Sequence, residues 1–72
     1  MWMKTKISEC DMTGEYFDEP VDGIGALAQG ATGRVCVVLW ASMDYAKEHG
    51  ITPLSYEEAE QYAESLGGWL DA

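Results

Sequence analysis

Alternating apolar and polar residues predict a β-strand over residues 1–8. Met3 and Ile7 fall on one side of such a strand, and Lys4 and Lys6 fall on the other. This is the period of two that an extended chain shows. The strand is therefore expected to have one dry face and one wet, partly basic face.

The pattern changes after Gly14, which marks a turn. Residues 15–18 are expected to form a short returning strand that Pro20 ends. Residues 21–31 then have the apolar spacing of a helix and predict a short one, although glycines within it weaken the pattern. The apolar residues with this spacing are Val21, Ile24, Leu27, Ala28 and Ala31.

Residues 34–41, RVCVVLWA, have the strongest strand pattern in the chain. Both faces of this strand would be apolar, which is typical of a central strand covered on both sides. Because a chain of 72 residues has few elements with which to cover two faces, a partner chain is a candidate for part of the cover.

A short helix is predicted over residues 43–49. Ser42 has the side chain of an N-cap, and Gly50 fits the left-handed position that ends a helix. His49 lies near the negative end of this helix, where an interaction with the last carbonyl groups is its expected role.

A second helix is predicted to begin after Ser55 and to run to Leu66. Ser55 and Glu58 have the spacing of a capping box, and the glycines at 67–68 end the helix. Residues 69–70, Trp-Leu, are then expected to return to the core. Together these elements predict a single α+β domain over residues 1–72, with a small antiparallel sheet of two to three strands and two to three short helices.

The sequence has no convincing motif for catalysis, for a cofactor or for a metal. Residues 23–28 have the G-x-G-x-x-A spacing of a dinucleotide-binding turn, but a charged segment precedes them where a buried strand should stand. The chain has two cysteines and one histidine, fewer than a structural zinc site needs. We therefore expect no enzymatic activity, no cofactor and no metal.

Cysteine usage and hydropathy favour a cytoplasmic protein. Lys4 and Lys6 are not followed by the apolar run of a signal peptide, and no stretch approaches the ~18 apolar residues of a membrane span. In a reducing compartment Cys10 and Cys36 are expected to be free thiols, and a stabilising disulfide is the alternative.

Charge is the feature that stands out. The chain has thirteen acidic and four basic residues, so its net charge is −9. This charge argues against direct binding to nucleic acid. Residues 9–22 hold six acids and no base, and residues 48–72 hold six more, again with no base. A net charge that only keeps a small domain in solution is the simple explanation, and −9 lies just above the ~2–8 useful for that purpose.

Three acids of the second predicted helix suggest a binding surface. Glu57, Glu60 and Glu64 share a stripe about 60° wide, and Glu60 and Glu64 are like charges one turn apart, which destabilises a helix. Ordered carboxylates at such spacing can imitate a phosphate backbone toward a basic groove. The predicted partner-binding residues are Glu57, Glu60, Glu64, Glu15, Asp18, Glu19 and Asp22, with Tyr56, Tyr62 and Trp69 as candidate apolar anchors.

The acidic blocks EYFDEPVD and SYEEAEQYAESL, in a small domain without catalytic motifs, resemble the acidic anti-CRISPR inhibitors of phages and mobile elements. The resemblance is one of class, and no set of residues is carried over from it. It implies an inhibitor that binds a CRISPR effector complex where nucleic acid would bind and blocks recognition of target DNA. Lys4 and Lys6 depart from this picture, because they make one surface basic.

Two other functions fit the same sequence. A structural interaction module would dimerise or dock through strand 34–41, whose faces are both apolar. An antitoxin-like protein would neutralise a basic nuclease through the same acidic surface as the inhibitor.

Overall fold

Four strands and two helices follow one another in a computed structural model that describes residues 1–71. The elements are β1 (Trp2–Cys10), β2 (Glu15–Gln29), β3 (Arg34–Ser42), α1 (Met43–Glu48), α2 (Tyr56–Ser65) and β4 (Trp69–Leu70). One sheet has the order β1-β2-β3-β4, and β4 runs parallel to β3 while the other neighbours are antiparallel. The α+β class is confirmed. The expected antiparallel sheet of two to three strands is wrong, because residues 69–70 add a fourth, parallel strand.

Residues 15–29 form one continuous strand, so the predicted helix over 21–31 is wrong, and Pro20 does not end the strand. The ladder between β1 and β2 is interrupted: Ile7 pairs with Val21, and the next pair is Glu9 with Tyr16. Pro20 lies in the unpaired stretch between those two pairs. Its missing N–H therefore costs the sheet no ladder hydrogen bond.

Two glycines explain why β2 is a strand despite its helical spacing. A Cβ on Gly23 would lie 2.5 Å from Cδ1 of Ile7, and one on Gly25 would lie 2.7 Å from Cγ1 of Val37. Side chains of β1 and β3 thus fill the space that a side chain on β2 would need. The glycines serve close packing within a sheet.

Strand β3 is confirmed, but it is less covered than its sequence predicts. Val35 and Ala41 are fully buried, whereas Val38 is 53% exposed and Leu39 is 41% exposed. The register with β2 shifts next to Leu39, and β4 pairs only with the first two residues of β3. The middle of β3 therefore presents apolar side chains to solvent.

Helix α1 has the predicted ends. The Ser42 hydroxyl accepts a first-turn N–H at 3.2 Å, and Gly50 has the positive φ of 64° that a left-handed stop requires. The Ile51 N–H then donates to the Ala46 carbonyl oxygen at 2.8 Å, closing the last turn.

The two helices cover opposite faces of the sheet. Met3 pairs with Gly25 and therefore shares its face, whereas the adjacent Ile24 points to the other face. Helix α2 packs on the Met3 side and α1 packs on the Ile24 side. The α2-side core contains Met3, Leu27, Val35, Ala59 and Ala63, and the α1-side core contains Cys10, Ile24, Ala41 and Ala46. Cys10 and Cys36 are both free thiols.

Candidate functional site

Local hydrogen bonds fix both ends of helix α2. The capping box at its start is complete: Glu58 N–H donates to the Ser55 hydroxyl at 3.2 Å, and Ser55 N–H donates to the Glu58 carboxylate at 3.0 Å. These hydrogen bonds lower the pKa of Glu58. At the other end Gly67 has a φ of 78°, and Gly68 N–H donates to the Ala63 carbonyl oxygen at 3.1 Å.

Packing on one side of α2 sets the direction in which its acids point. Ala59 and Ala63 are fully buried against the sheet, and their small size brings the helix close to it. Glu57, Glu60 and Glu64 are all exposed on the solvent side. The helix cannot rotate to bury these acids without exposing the two alanines, so the stripe has a fixed orientation.

Neighbouring carboxylates of the stripe stand one helical turn apart. Glu57 and Glu60 are three residues apart and Glu60 and Glu64 four, so their Cβ atoms are separated by ~5–6 Å. The three acids occupy an arc of about 60°. The stripe is therefore a short, straight row of negative charge.

No cation neutralises the stripe within residues 1–71. The ion pairs of this part of the chain are Lys6–Asp22, at 2.6 Å, and Arg34–Asp71, and neither includes a stripe residue. Two of the four basic residues of the chain are thus committed to acids elsewhere. The three carboxylates of the stripe therefore have no ion-pair partner in this part of the chain.

Several other acids have partners within the fold. The Asp11 carboxylate accepts the Trp40 N–H at 2.8 Å and ties the end of β1 to β3. A hydrogen bond from Lys6, with the attraction of its charge, lowers the pKa of Asp22. Such acids have a role in folding. In the stripe, Glu57 lies in the first turn of α2, where the helix dipole favours an acid, but Glu60 and Glu64 have no comparable role.

The second group of predicted site residues lies apart from the stripe. Glu15, Asp18, Glu19 and Asp22 are all exposed on the first half of β2. Glu15 pairs with Cys10 at the end of β1 and Asp22 pairs with Lys6 in its middle, whereas α2 packs on Met3 near the beginning of β1. The structure therefore places most of these acids toward the end of β1 that lies away from α2, and the two groups do not form one continuous row.

The three candidate aromatic anchors have different environments. Tyr56 is 53% exposed at the start of α2 and Trp69 is 51% exposed on β4, whereas Tyr62 packs against the α2-side core. Sequence reasoning missed Tyr16, which is 82% exposed among the acids of β2. The strand alternation of residues 15–18 was the signal that could have identified it.

Neither a metal cluster nor a membrane helix is found within residues 1–71. No three His, Cys, Asp or Glu side chains of this part of the chain are grouped as ligands for a metal ion. None of its helices is both long enough and apolar enough to cross a membrane.

Comparison with known proteins finds no relative. No family model, curated protein or solved structure matches this chain.

Proposed function

We propose that the protein is a non-enzymatic acidic inhibitor that acts in the cytoplasm by occupying a nucleic-acid-binding surface of another protein. A CRISPR effector complex is the proposed target, and blocked recognition of target DNA is the proposed consequence. Glu57, Glu60 and Glu64 would take the place of phosphates. The observation that supports this most is the fixed, exposed row of unneutralised carboxylates on α2.

The cost of the stripe to the helix supports a role outside folding. Glu60 and Glu64 repel one another across one turn, at ~0.2–0.5 kcal/mol. The stripe also continues toward the C-terminal end of α2, where the helix dipole disfavours negative charge. No basic residue stands in the last turn to offset this. Acids that weaken their own helix are more simply explained by binding than by stability.

The acids of β2 would make a second, separate contact. Lys6 partly neutralises Asp22, so Glu15, Asp18 and Glu19 would contribute most of the charge there. A partner that contacts both groups must extend along β1, and the molecule is 34 Å in its longest dimension. Tyr16 and Trp69 are exposed aromatic side chains available as anchors in such a contact.

Displacement of labelled target DNA from purified, guide-loaded CRISPR effector complexes tests the proposal. Glu64→Lys is expected to weaken inhibition strongly, because it puts a cation in a phosphate position. Glu48→Lys is the matched control, because it changes the net charge by the same amount. Like Glu64, Glu48 has an acid four residues earlier, Asp44. Glu48 lies on α1, however, over the other face of the sheet. Equal loss of inhibition by both variants would show that inhibition depends on net charge alone, and it would contradict the proposal.

Salt dependence gives a second, independent readout. Three phosphate-like contacts, each with the slope of ~0.9 known for B-DNA, would lower affinity up to roughly 40-fold between ~50 and ~200 mM salt. Affinity that does not change over this range would contradict mimicry. An antitoxin-like role would show the same salt dependence, and protection of a purified basic nuclease would reveal it instead.

An interaction module built on β3 is the second candidate. The exposed apolar side chains of Val38 and Leu39 favour it. Self-association of this kind would persist or strengthen in high salt, in contrast to binding through the stripe. Size-exclusion chromatography at two salt concentrations, with Val38→Asp as the disrupting variant, separates the two functions.

A further inference from the structure

The α1 side of the sheet is covered over only part of its length. Helix α1 has six residues, so it is ~9 Å long, whereas residues 23–29 of β2 extend over roughly 20 Å where they pair with β3. The helix packs over Ile24 and Ala41, which pair with one another. Beyond this pair the same face of the sheet continues along β2 and β3 without a helix over it.

The strand register identifies the side chains of this uncovered part. Alternate residues of a strand share a face, so the face of Ile24 continues through residues 26 and 28 of β2 and through their partners on β3. On β4, Leu70 packs against the α2-side core, so the adjacent Trp69 lies on the α1 side. The uncovered face, as we call it below, consists of Ala26, Ala28, Cys36, Leu39 and Trp69.

The uncovered face is apolar and partly open to solvent. Trp69 is 51% exposed and Leu39 is 41% exposed, Ala28 is exposed as well, and Ala26 and Cys36 are half-buried. These residues lie on three neighbouring strands, so they form one surface. A contiguous apolar surface of this kind on a small domain is typical of an interaction site.

Charge favours a second copy of the chain as the occupant of the uncovered face. The chain has thirteen acids, but none of the five residues of this face is acidic. At its end, Arg34 stands beside Trp69 in the register and forms an ion pair with Asp71, so the two charges cancel. A two-fold interface brings one surface against itself and must therefore be self-complementary. An apolar surface that ends in one cation and one anion meets this requirement.

Hydrogen bonds at the outer edge of β3 favour contact through the face rather than through the edge. Asp71 N–H donates to the Val35 carbonyl oxygen at 2.8 Å, and Asp11 N–H donates to the Trp40 carbonyl oxygen at 2.9 Å. Both ends of this edge are thus occupied within the chain. An added strand would have only the few residues between them to pair with, whereas the uncovered face has side chains on three strands.

We propose that two copies of the chain associate face to face through the uncovered face. This inference specifies the surface for the second candidate function above, the interaction module, and it does not depend on the proposed inhibition. Five side chains are fewer than the ~20–30 residues that each partner contributes to a standard interface, so the dimer is weak and reversible. Because α2 packs on the opposite face of the sheet, both acidic stripes stay exposed on the outer sides of the dimer.

Analytical ultracentrifugation from ~10 µM to ~1 mM protein tests the dimer. The dimer fraction is expected to rise with concentration, and also from ~50 to ~500 mM salt, because salt screens the repulsion between two chains of net charge −9. Leu39→Glu and Ala28→Glu should each weaken dimerisation at least about 10-fold, since they place like charges in the interface. Leu66→Glu is the matched control: Leu66 is also 41% exposed, but it ends α2, which packs on the other face. It should change the dimerisation constant much less.

The reactivity of the two free thiols gives a readout in the wild-type protein. Cys36 belongs to the uncovered face, so its alkylation by N-ethylmaleimide should slow in proportion to the dimer fraction. Cys10 is fully buried, and its rate should not depend on protein concentration. In Leu39→Glu the Cys36 rate should be independent of concentration as well.

Three results would overturn the proposal. They are a monomer at ~1 mM protein in high salt, which would assign the uncovered face to a different protein, equal weakening by Leu39→Glu and Leu66→Glu, and a Cys36 rate that is unchanged in the dimer. Loss of dimer in Val38→Asp but not in Ala28→Glu would also overturn it, because self-association would then use β3 alone. None of these results concerns the α2 stripe, whose three acids all of these variants retain.

Discussion

Replacing one acid of the α2 stripe by lysine should stabilise the fold. In the wild-type protein, repulsion between Glu60 and Glu64 costs ~0.2–0.5 kcal/mol. Glu64→Lys removes this repulsion and places a lysine four residues after Glu60, the favourable orientation, for a further ~0.2–0.5 kcal/mol. Both residues are exposed, so no packing is lost. The expected gain in the free energy of unfolding is ~0.4–1 kcal/mol.

Thermal unfolding followed by circular dichroism measures this gain. For a domain of this size ~1 kcal/mol raises Tm by ~4–8 °C, so the variant should melt roughly 2–8 °C above the wild type at low salt. The gain should shrink at ~1 M salt, where the Debye length is ~3 Å. Glu64→Gln only removes the repulsion, so it should give about half of the gain in stability expected for Glu64→Lys.

A loss of stability in Glu64→Lys would refute the reasoning. It would mean that Glu64 makes a stabilising contact, and the stripe would no longer need an external partner to explain it. If Glu64→Lys gains stability but loses the proposed inhibition, Glu64 serves binding and not folding. The matched Glu48→Lys variant should also gain stability, since it relieves the repulsion from Asp44, but it should keep the inhibitory activity that we propose.

Two further predictions concern the fold. Gly23→Ala should destabilise the protein by ~1–3 kcal/mol in urea denaturation, because its Cβ would lie 2.5 Å from Ile7 and 2.8 Å from the Ala41 carbonyl oxygen. Gly30→Ala, whose Cβ would find its nearest atom at 3.6 Å, is the control, and equal effects would contradict the packing argument. The capping box should weaken in acid. Hydrogen bonds from Ser55 lower the folded-state pKa of Glu58 below its ordinary value of 4.5. The contribution of ionised Glu58 to stability is therefore complete above pH 4.5 and is lost as the pH falls through the folded-state pKa. Glu58→Gln should flatten the stability profile there, and an unchanged profile would show that other acids control it.

Helix ends were predictable from the sequence because their hydrogen bonds are local. Ser42 and Ser55 each cap an N–H three residues later, and Gly50 ends α1 through its own positive φ. The information for each end lies within a few residues. Both helices therefore have bounds close to those predicted.

Strand β2 was mispredicted because its side-chain spacing reflects distant neighbours. The apolar residues of 21–31 have helical spacing, although most of this segment belongs to a strand. In that strand Gly23 and Gly25 leave space for the side chains of Ile7 and Val37. Glycines two residues apart on one strand face are a signal of close packing, but only once the partner strands are known. The period of the pattern alone could not distinguish the two structures.

Strand β4 was missed for a related reason. A Cβ on Gly68 would lie 1.7 Å from the Gly33 carbonyl oxygen, so only glycine lets these two turns touch. Trp69 N–H then donates to the same oxygen at 3.2 Å, which starts the parallel pairing with β3. The expected return of residues 69–70 to the core is fulfilled by Leu70, which packs against the α2-side core, while Trp69 stays half exposed.

The acidic site was predictable in composition but not in layout. Sequence spacing alone put Glu57, Glu60 and Glu64 on one side of a helix, because that depends only on helical geometry. Whether the acids of residues 15–22 join them depends on the path of β1 and β2, and the structure sets most of these acids toward the end of β1 that lies away from α2. Since Lys6 already holds Asp22, the end at α2 has the more concentrated uncompensated charge. A basic groove that accepts one short row of phosphates would therefore engage α2 first, and contact with β2 would decide how far the partner extends along the molecule.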